Sequence, residues 1–167
     1  QQSLAALASR HPQLVVIRSL TKLFGIAGLR LGYAIAEPQR LQRWSVWRDP
    51  WPVNGLAAAA GEVLMADAAW TRRVQTWVAT ERPWLVGELV RRGWQVSPSS
   101  GNFLLVRRGH SLETWRQKLE QKHRILVRDC RSFEGLDERW WRLALLDRRR
   151  NRRLLRALDQ VGDPYIE

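Results

Sequence analysis

The sequence predicts an α/β fold, with strands near its start, a long helical middle and a small α+β unit at its end. Three observations carry this reading. Two apolar, β-branched runs, residues 14–19 and 29–36, flank a glycine-spaced loop. Small residues at helical spacing then run from Gly55 toward Gly93. From residue 94 the segments alternate as strand, helix, strand, strand, helix, an order that suits helices packed on one face of a sheet.

Each element has a local reason. "QQSLAALASRH" (1–11) reads as a short helix or the tail of one. "LVVIRS" (14–19) is nearly continuous in apolar character, as buried strands are. "LRLGYAIA" (29–36) is a second strand, ended by Glu37-Pro38 because proline brings no N–H to a ladder. "PQRLQRWSVWR" (38–48) is helical until the two prolines and the Asn of "DPWPVN" (49–54) force a bend. Asn54 is placed to cap the helix that follows. That helix is expected to continue as one pattern through residues 55–93, with Pro83 as a kink or a new start and Gly93 as the stop. Beyond it lie a strand at 102–107, preceded by a turn, and a helix over 111–123. The helix opens with Ser111 in a capping-box-like start, Thr114 standing where Glu is usual. Strands at 124–130 and 140–146, separated by a loop, lead to a helix over 148–161. The expected divisions are 1–54, 55–93 and 94–167, with no repeat and no low-complexity linker.

The bulk composition bounds the function. At 167 residues and 45% apolar content the chain can bury a core, and no run approaches the ~18–20 apolar residues of a membrane span. The first residues show no basic stretch followed by an apolar one, so no secretory signal is expected and a cytosolic setting is. The single Cys130 allows no internal disulfide. A net charge of +12 raises the question of a nucleic-acid partner. However, the basic residues are scattered apart from "DRRRNRRLLR" (147–156), which looks like one solvated helix, and the joint abundance of Arg, Ala, Leu and Trp fits a GC-rich coding bias. An anionic small molecule is therefore the expected partner, with neither nucleic acid nor membrane. A basic nucleic-acid-binding module, salt-sensitive in its DNA affinity, is the non-enzyme alternative, beside a degenerate relative with only an interaction role.

The stretch "SLTKLFGIAGLRLGY" (19–33) concentrates chemistry. Of 28 basic residues only Lys22, Lys118 and Lys122 are lysines, so a lysine at 22 suggests a need that a guanidinium cannot meet, such as condensation with a carbonyl. A pyridoxal phosphate cofactor needs an amine for its aldehyde, and hydroxyls, backbone N–H groups and a guanidinium for its phosphate. Ser19, Thr21, Lys22 and Arg30 supply those side chains within twelve residues, and Gly25, Gly28 and Gly32 let the backbone turn and approach closely. A plain inter-strand loop with Lys22 and Arg30 solvated is the competing reading.

The pattern Ser/Thr-x-Ser/Thr-Lys, an aromatic, then Gly-Leu-Arg-Leu-Gly resembles the lysine motif of the class I/II aminotransferases, the fold-type-I pyridoxal-phosphate enzymes. That resemblance implies that Lys22 bonds covalently to the cofactor aldehyde, while Ser19, Thr21 and Arg30 hold its phosphate. "RSLTK", "GLRLGY", "PWPVNGLAAAAGEVL", "ILVRDC", "FEGLDERWWRLAL" and "NRRLLRAL" together resemble the threonine-phosphate decarboxylases of cobalamin biosynthesis, relatives of the histidinol-phosphate aminotransferases. Pro52 departs from the Ser usual there. The resemblance implies that Arg142, in "WWRLAL", pairs with a substrate α-carboxylate and that Arg128, in "ILVRDC", meets a substrate phosphate. On the residues alone, each is an arginine at a strand end, commonly solvated.

The same resemblance implies a phosphorylated amino acid as substrate, a homodimer in the full-length form, and a C-terminal part of the fold: the end of the large-domain sheet (1–54), an interdomain helical segment (55–93) and the small α+β domain (94–167). The family's Asp that pairs with the pyridinium nitrogen, and its Tyr, Asn, stacking aromatic and phosphate turn, lie upstream of the lysine motif. None of the 21 residues before Lys22 is Asp, Tyr or Asn. The N-terminal half is thus expected to be missing, the chain alone to be inactive, and strands 14–19 and 29–36 to lack sheet partners and expose apolar surface. His11, His110 and His123 show no metal-ligand spacing, so no metal is expected. Cys130 is expected to be a packed thiol.

Overall fold

A computed structural model describes residues 3–162. The chain divides into two units between Val74 and Gln75. In the first, a four-residue helix α1 (Ala5–Ala8) precedes strand β1 (Val16–Ser19), a helical turn α2 (Thr21–Phe24) and a 3-10 turn (Ala27–Leu29). Strand β2 (Gly32–Ile35), helix α3 (Pro38–Ser45) and helix α4 (Gly55–Ala66) follow, and helix α5 (Ala68–Arg91) begins.

Strands β1 and β2 were expected to lack sheet partners, and the structure corrects this. They pair antiparallel with each other, Val16 opposite Ile35 and Ser19 opposite Gly32, because the loop between them reverses the chain. The expected strand 29–36 is shortened at its start: Arg30 adopts a left-handed backbone (φ 55°, ψ 52°) that no strand continues through. Apolar exposure does appear, at Ile17, Trp47 and Trp51.

Helix starts follow capping chemistry. Pro38 occupies the first turn of α3. The Asn54 carboxamide oxygen accepts the Ala57 N–H at 2.8 Å at the head of α4. The single helical pattern over 55–93 is broken at Asp67, whose carboxylate accepts the Trp70 N–H at 2.7 Å and so starts α5 anew. Pro83 lies inside α5 and does not start it, forgoing one ladder bond. The helix ends in a Schellman arrangement: Gly93 (φ 76°) donates to the Val90 carbonyl and Trp94 to that of Leu89.

The second unit holds a four-stranded antiparallel sheet, order β3-β4-β6-β5, made of β3 (Gln95–Val96), β4 (Phe103–Arg107), β5 (Arg128–Asp129) and β6 (Trp140–Ala144). Helices α6 (Glu113–His123) and α7 (Arg148–Val161) complete it. β3 was not visible as a strand in sequence. β5 is far shorter than the expected 124–130, because the chain leaves α6 through a left-handed Arg124 (φ 52°) and only two residues reach β6. Ser111 is not the cap of α6. Leu112 takes that place, and the Ser111 hydroxyl accepts the Glu113 N–H at 3.4 Å.

Burial alternates along β4 and β6, so Leu104, Val106, Trp141 and Leu143 face inward. There they join Leu85 and Leu89 of α5, Trp115 and Leu119 of α6, and Leu154, Leu155 and Leu158 of α7 in one core. Trp94 lies edge-on to Trp115, ring centres 5.6 Å apart. The basic run 147–156 is a solvated helix face: Leu154, Leu155, Leu158 and Val161 form an inward stripe, while Arg149, Arg152 and Arg156 are exposed. Among the described residues no helix is long and apolar enough to cross a membrane.

Candidate functional site

The hairpin of the first unit positions the lysine loop. The Leu20 N–H donates to the Leu31 carbonyl at 3.1 Å, continuing the β1–β2 pairing to the start of α2. Gly32 is required by the close approach of the strands: a Cβ there would stand 2.8 Å from the Arg18 carbonyl oxygen. An open groove of about 440 Å³ results, lined by Ser19, Thr21 and Arg30 together with Arg18, Gly32 and Tyr33. Among the described residues no carboxylate lines it.

The donors in this groove are set by local bonds. The Ser19 hydroxyl accepts the Thr21 N–H at 3.3 Å, which leaves its own O–H to donate elsewhere. Thr21 is buried. The Arg30 Nη1 donates to the Ala27 carbonyl at 2.8 Å, folding the guanidinium over the 3-10 turn. Lys22 is exposed on α2 and is not among the lining residues, and among the described residues no hydrogen bond or ion pair engages its amine. Hydroxyls and a guanidinium around a groove free of carboxylates match the needs of a phosphate dianion, so these residues fit a pyridoxal phosphate tail.

Two side chains that the sequence did not single out for this loop reach its backbone. Asn54 Nδ2 donates to the Leu29 carbonyl at 3.1 Å, and Trp70 Nε1 donates to the Leu23 carbonyl at 2.9 Å. The contacts span 25 and 47 residues, and no local sequence signal announces them.

The second unit brings Arg128 and Arg142 together. They are directly opposite in the β5–β6 ladder, so both stand on the sheet face away from the core. Both guanidiniums lie over Phe133, at 5.6 and 6.0 Å from its ring centre, and Arg142 lies also over Phe103 at 5.5 Å. Arg128 Nη2 donates to the Ser132 hydroxyl at 3.2 Å. Like charges directly opposite repel, so this pairing is suited to an anion between or beside them. Arg142 also borders a cavity of about 250 Å³ with Arg124, Arg150 and Arg153.

Cys130 is a packed thiol. Burial pushes its pKa up, against the opposing pull of Arg142 and Arg128. Asp129 is pushed up by burial as well, but the Arg131 backbone and side-chain hydrogen bonds outweigh that and hold it below the usual carboxylate range. Among the described residues no cluster of His, Cys, Asp and Glu could hold a metal.

The family model for aminotransferase class I and II matches residues 1–158. The chain is 38% identical over 154 residues to a threonine-phosphate decarboxylase of Salmonella typhimurium, covering 90% of this chain and 42% of that one. In structure it resembles the histidinol-phosphate aminotransferase of Clostridium acetobutylicum, with a TM-score of 0.88 and 30% identity over 95% of this chain and 49% of that one. It also resembles an L-threonine-O-3-phosphate decarboxylase of Porphyromonas gingivalis, with a TM-score of 0.78 and 29% identity over 93% and 49% of the two chains. The chain thus spans less than half the length of these relatives.

Proposed function

Because the chain belongs to the class I and II aminotransferases, a family whose cofactor is pyridoxal phosphate, we propose that the full-length protein decarboxylates L-threonine O-3-phosphate to aminopropanol phosphate, a precursor of the cobalamin side chain. The observation that carries this reading is the pairing of Arg128 with Arg142 across one ladder position. A substrate with a carboxylate at one end and a phosphate at the other calls for two guanidiniums on one face. The 38% identity to the Salmonella decarboxylase supports it.

In this reading Ser19, Thr21 and Arg30 hold the cofactor phosphate, and Lys22 is the residue the cofactor bonds to. Bound pyridoxal phosphate supplies an aldehyde for an amine and a ring that accepts the electron pair released at the substrate Cα. Lys22 would hold the aldehyde through its neutral amine, and as a free amine it would be able to carry a proton at the substrate Cα. Arg142 takes the α-carboxylate in a planar fork that lysine cannot reproduce, and Arg128 takes the phosphate. The pose set by these two anchors decides which Cα bond breaks: the bond to the carboxylate for decarboxylation, the bond to hydrogen for transamination. The protein is proposed to act as a homodimer, to which sedimentation gives a direct answer.

Histidinol-phosphate aminotransferase activity is the second reading, favoured by the TM-score of 0.88 to the Clostridium enzyme against 0.78 to the Porphyromonas decarboxylase. Histidinol phosphate carries no carboxylate, so Arg142 would there serve the keto-acid partner alone. One paired assay on the full-length protein separates the two. Carbon dioxide release from phospho-threonine without added keto acid is the expected result; keto-acid-dependent consumption of histidinol phosphate in its place selects the second reading. Arg142→Lys is expected to lower kcat/KM for phospho-threonine about 10- to 100-fold, the equivalent of one hydrogen bond to a charged group at ~1.5–3 kcal/mol. Neither activity in a cofactor-loaded protein, or salt-sensitive DNA binding with no borohydride-fixed label on Lys22, overturns both. The 167-residue chain alone is expected to turn over neither substrate.

A further inference from the structure

The two side chains that reach the lysine loop from outside it hold the two backbone carbonyls next to its functional residues. We propose that Asn54 and Trp70 are positioning residues for the cofactor, Asn54 acting through Arg30 on the phosphate and Trp70 acting through Lys22 on the aldehyde. The proposal rests on the pyridoxal-phosphate reading of this loop.

Arg30 has a left-handed backbone, a conformation disfavoured for any residue with a Cβ. It persists only where its surroundings hold it. The peptide carbonyl just before it, on Leu29, accepts from Asn54 Nδ2 at 3.1 Å. The other end of the same carboxamide accepts the Ala57 N–H at 2.8 Å. One amide group therefore ties the start of a twelve-residue helix to the turn that presents the guanidinium. With both ends engaged, the carboxamide cannot rotate without losing a bond.

Lys22 sits on α2, a helix of four residues, too short to be stable on its own hydrogen bonds. The Leu23 carbonyl, one of those a helix end leaves without an intrahelical partner, accepts from the Trp70 indole at 2.9 Å. Trp70 is itself fixed at the head of α5, where its backbone N–H donates to Asp67. The turn carrying the lysine is thus pinned one residue beyond it, as the turn carrying the arginine is pinned one residue before it.

One substitution at each position removes the donor. Asn54→Asp keeps the oxygen that caps α4 and loses the N–H that holds Leu29. Trp70→Phe keeps an aromatic ring and loses the indole N–H. The full-length protein is titrated with pyridoxal phosphate and, separately, with pyridoxal, which lacks the phosphate. Lys22 labelling after borohydride is read by peptide mass spectrometry. Asn54→Asp is expected to weaken pyridoxal phosphate binding about tenfold while changing pyridoxal binding less than twofold, since its effect runs through the phosphate ligand. Trp70→Phe is expected to lower Lys22 labelling several-fold by both ligands alike. Asn54→Ser, a good helix cap without an amide donor, repeats the Asn54→Asp pattern and guards against a fold-specific artefact of the added charge. Equal losses for the two ligands in both Asn54 variants, or unchanged labelling in Trp70→Phe, overturn the positioning roles. Absence of label on Lys22 in the unsubstituted protein overturns the cofactor reading itself, and this proposal with it.

Discussion

The two units of the chain place their candidate site residues on unequal foundations. In the second, Arg128 and Arg142 stand on the outer face of a sheet whose inner face is sealed by Trp141, Leu104, Val106 and Leu143 against three helices. In the first, the loop with Lys22 and Arg30 hangs between two four-residue strands, and only Ala8, Leu20, Ala36 and Ala57 are buried apolar residues among those described. A two-stranded ribbon has little stability of its own. The lesson is that the proposed substrate anchors rest on packing, whereas the lysine loop depends on single directed hydrogen bonds such as those from Asn54 and Trp70. Amides of β1 and β2 are accordingly expected to exchange with solvent faster than those of β4 and β6.

The largest test strikes the packed side. Trp141 is 1% exposed and stacks obliquely on Trp94, ring centres 5.4 Å apart. Trp141→Ala is expected to destabilise the second unit by about 3–5 kcal/mol, the usual cost of emptying an aromatic site in a core. Hydrogen exchange in β4, β6 and α7 should accelerate strongly. Protection that stays at its unsubstituted level would mean that this core is not what holds the sheet.

A polar site within that core comes next. Asn151 is 1% exposed, accepts the Leu146 N–H at 3.2 Å and donates to the Leu146 carbonyl at 2.6 Å. Asn151→Ala leaves both backbone groups without that partner and is expected to cost about 1–3 kcal/mol. Chemical denaturation should show a lowered midpoint with an unchanged slope.

On the weaker side, Gly32 and Gly61 form a contrast. A Cβ on Gly32 meets the Arg18 backbone oxygen at 2.8 Å, which can move only if the hairpin does. A Cβ on Gly61 meets the far end of the Leu31 side chain at 2.9 Å, which can swing aside. Gly32→Ala is expected to cost about 1–3 kcal/mol as overpacking and to speed exchange in β1 and β2. Gly61→Ala should be near neutral, since a helical alanine recovers ~0.5–1 kcal/mol of propensity. Equal effects would show that the strand approach is not the tighter constraint.

What the sequence disclosed divides along the same line of locality. Ser19, Thr21 and Arg30 could be grouped because they lie within one short segment, and they line one groove, whereas Lys22 of the same segment does not line it. Asn54 was legible as a cap, since the helix it starts is adjacent, but its bond to Leu29 was not. Arg128 and Arg142 could each be singled out by motif, while their opposition depends on a register fixed by the pairing of β5 with β6. The Ile-Leu-Val of 125–127 looked like strand from its apolarity alone, yet Ile125 and Val127 pack against the core without pairing and Leu126 is exposed. The left-handed Arg124 that displaces it carries no glycine to announce it. The break at Asp67 was hidden by alanines on both sides, which favour helix throughout.

The smallest expected effect concerns acid and again falls on the second unit. Hydrogen bonding from the Arg116 guanidinium holds Glu113 below its ordinary pKa of 4.5, and Arg139 does the same for Asp137 below 3.8. Glu113 bonds Arg116 at 2.6 Å and Arg131 at 3.0 Å, tying the first turn of α6 to the loop after β5. A carboxyl whose pKa is lower in the folded state binds fewer protons there than in the unfolded chain. Its stabilisation is therefore complete above the unfolded value and is lost as pH falls through the folded one. The melting temperature should be flat with respect to these two groups above about pH 5 and decline below about pH 4. Both groups are partly or largely exposed, so the decline is small and shrinks further in high salt. Glu113→Gln should remove part of it. A decline that is undiminished in high salt and in Glu113→Gln would place the acid-sensitive groups outside this network.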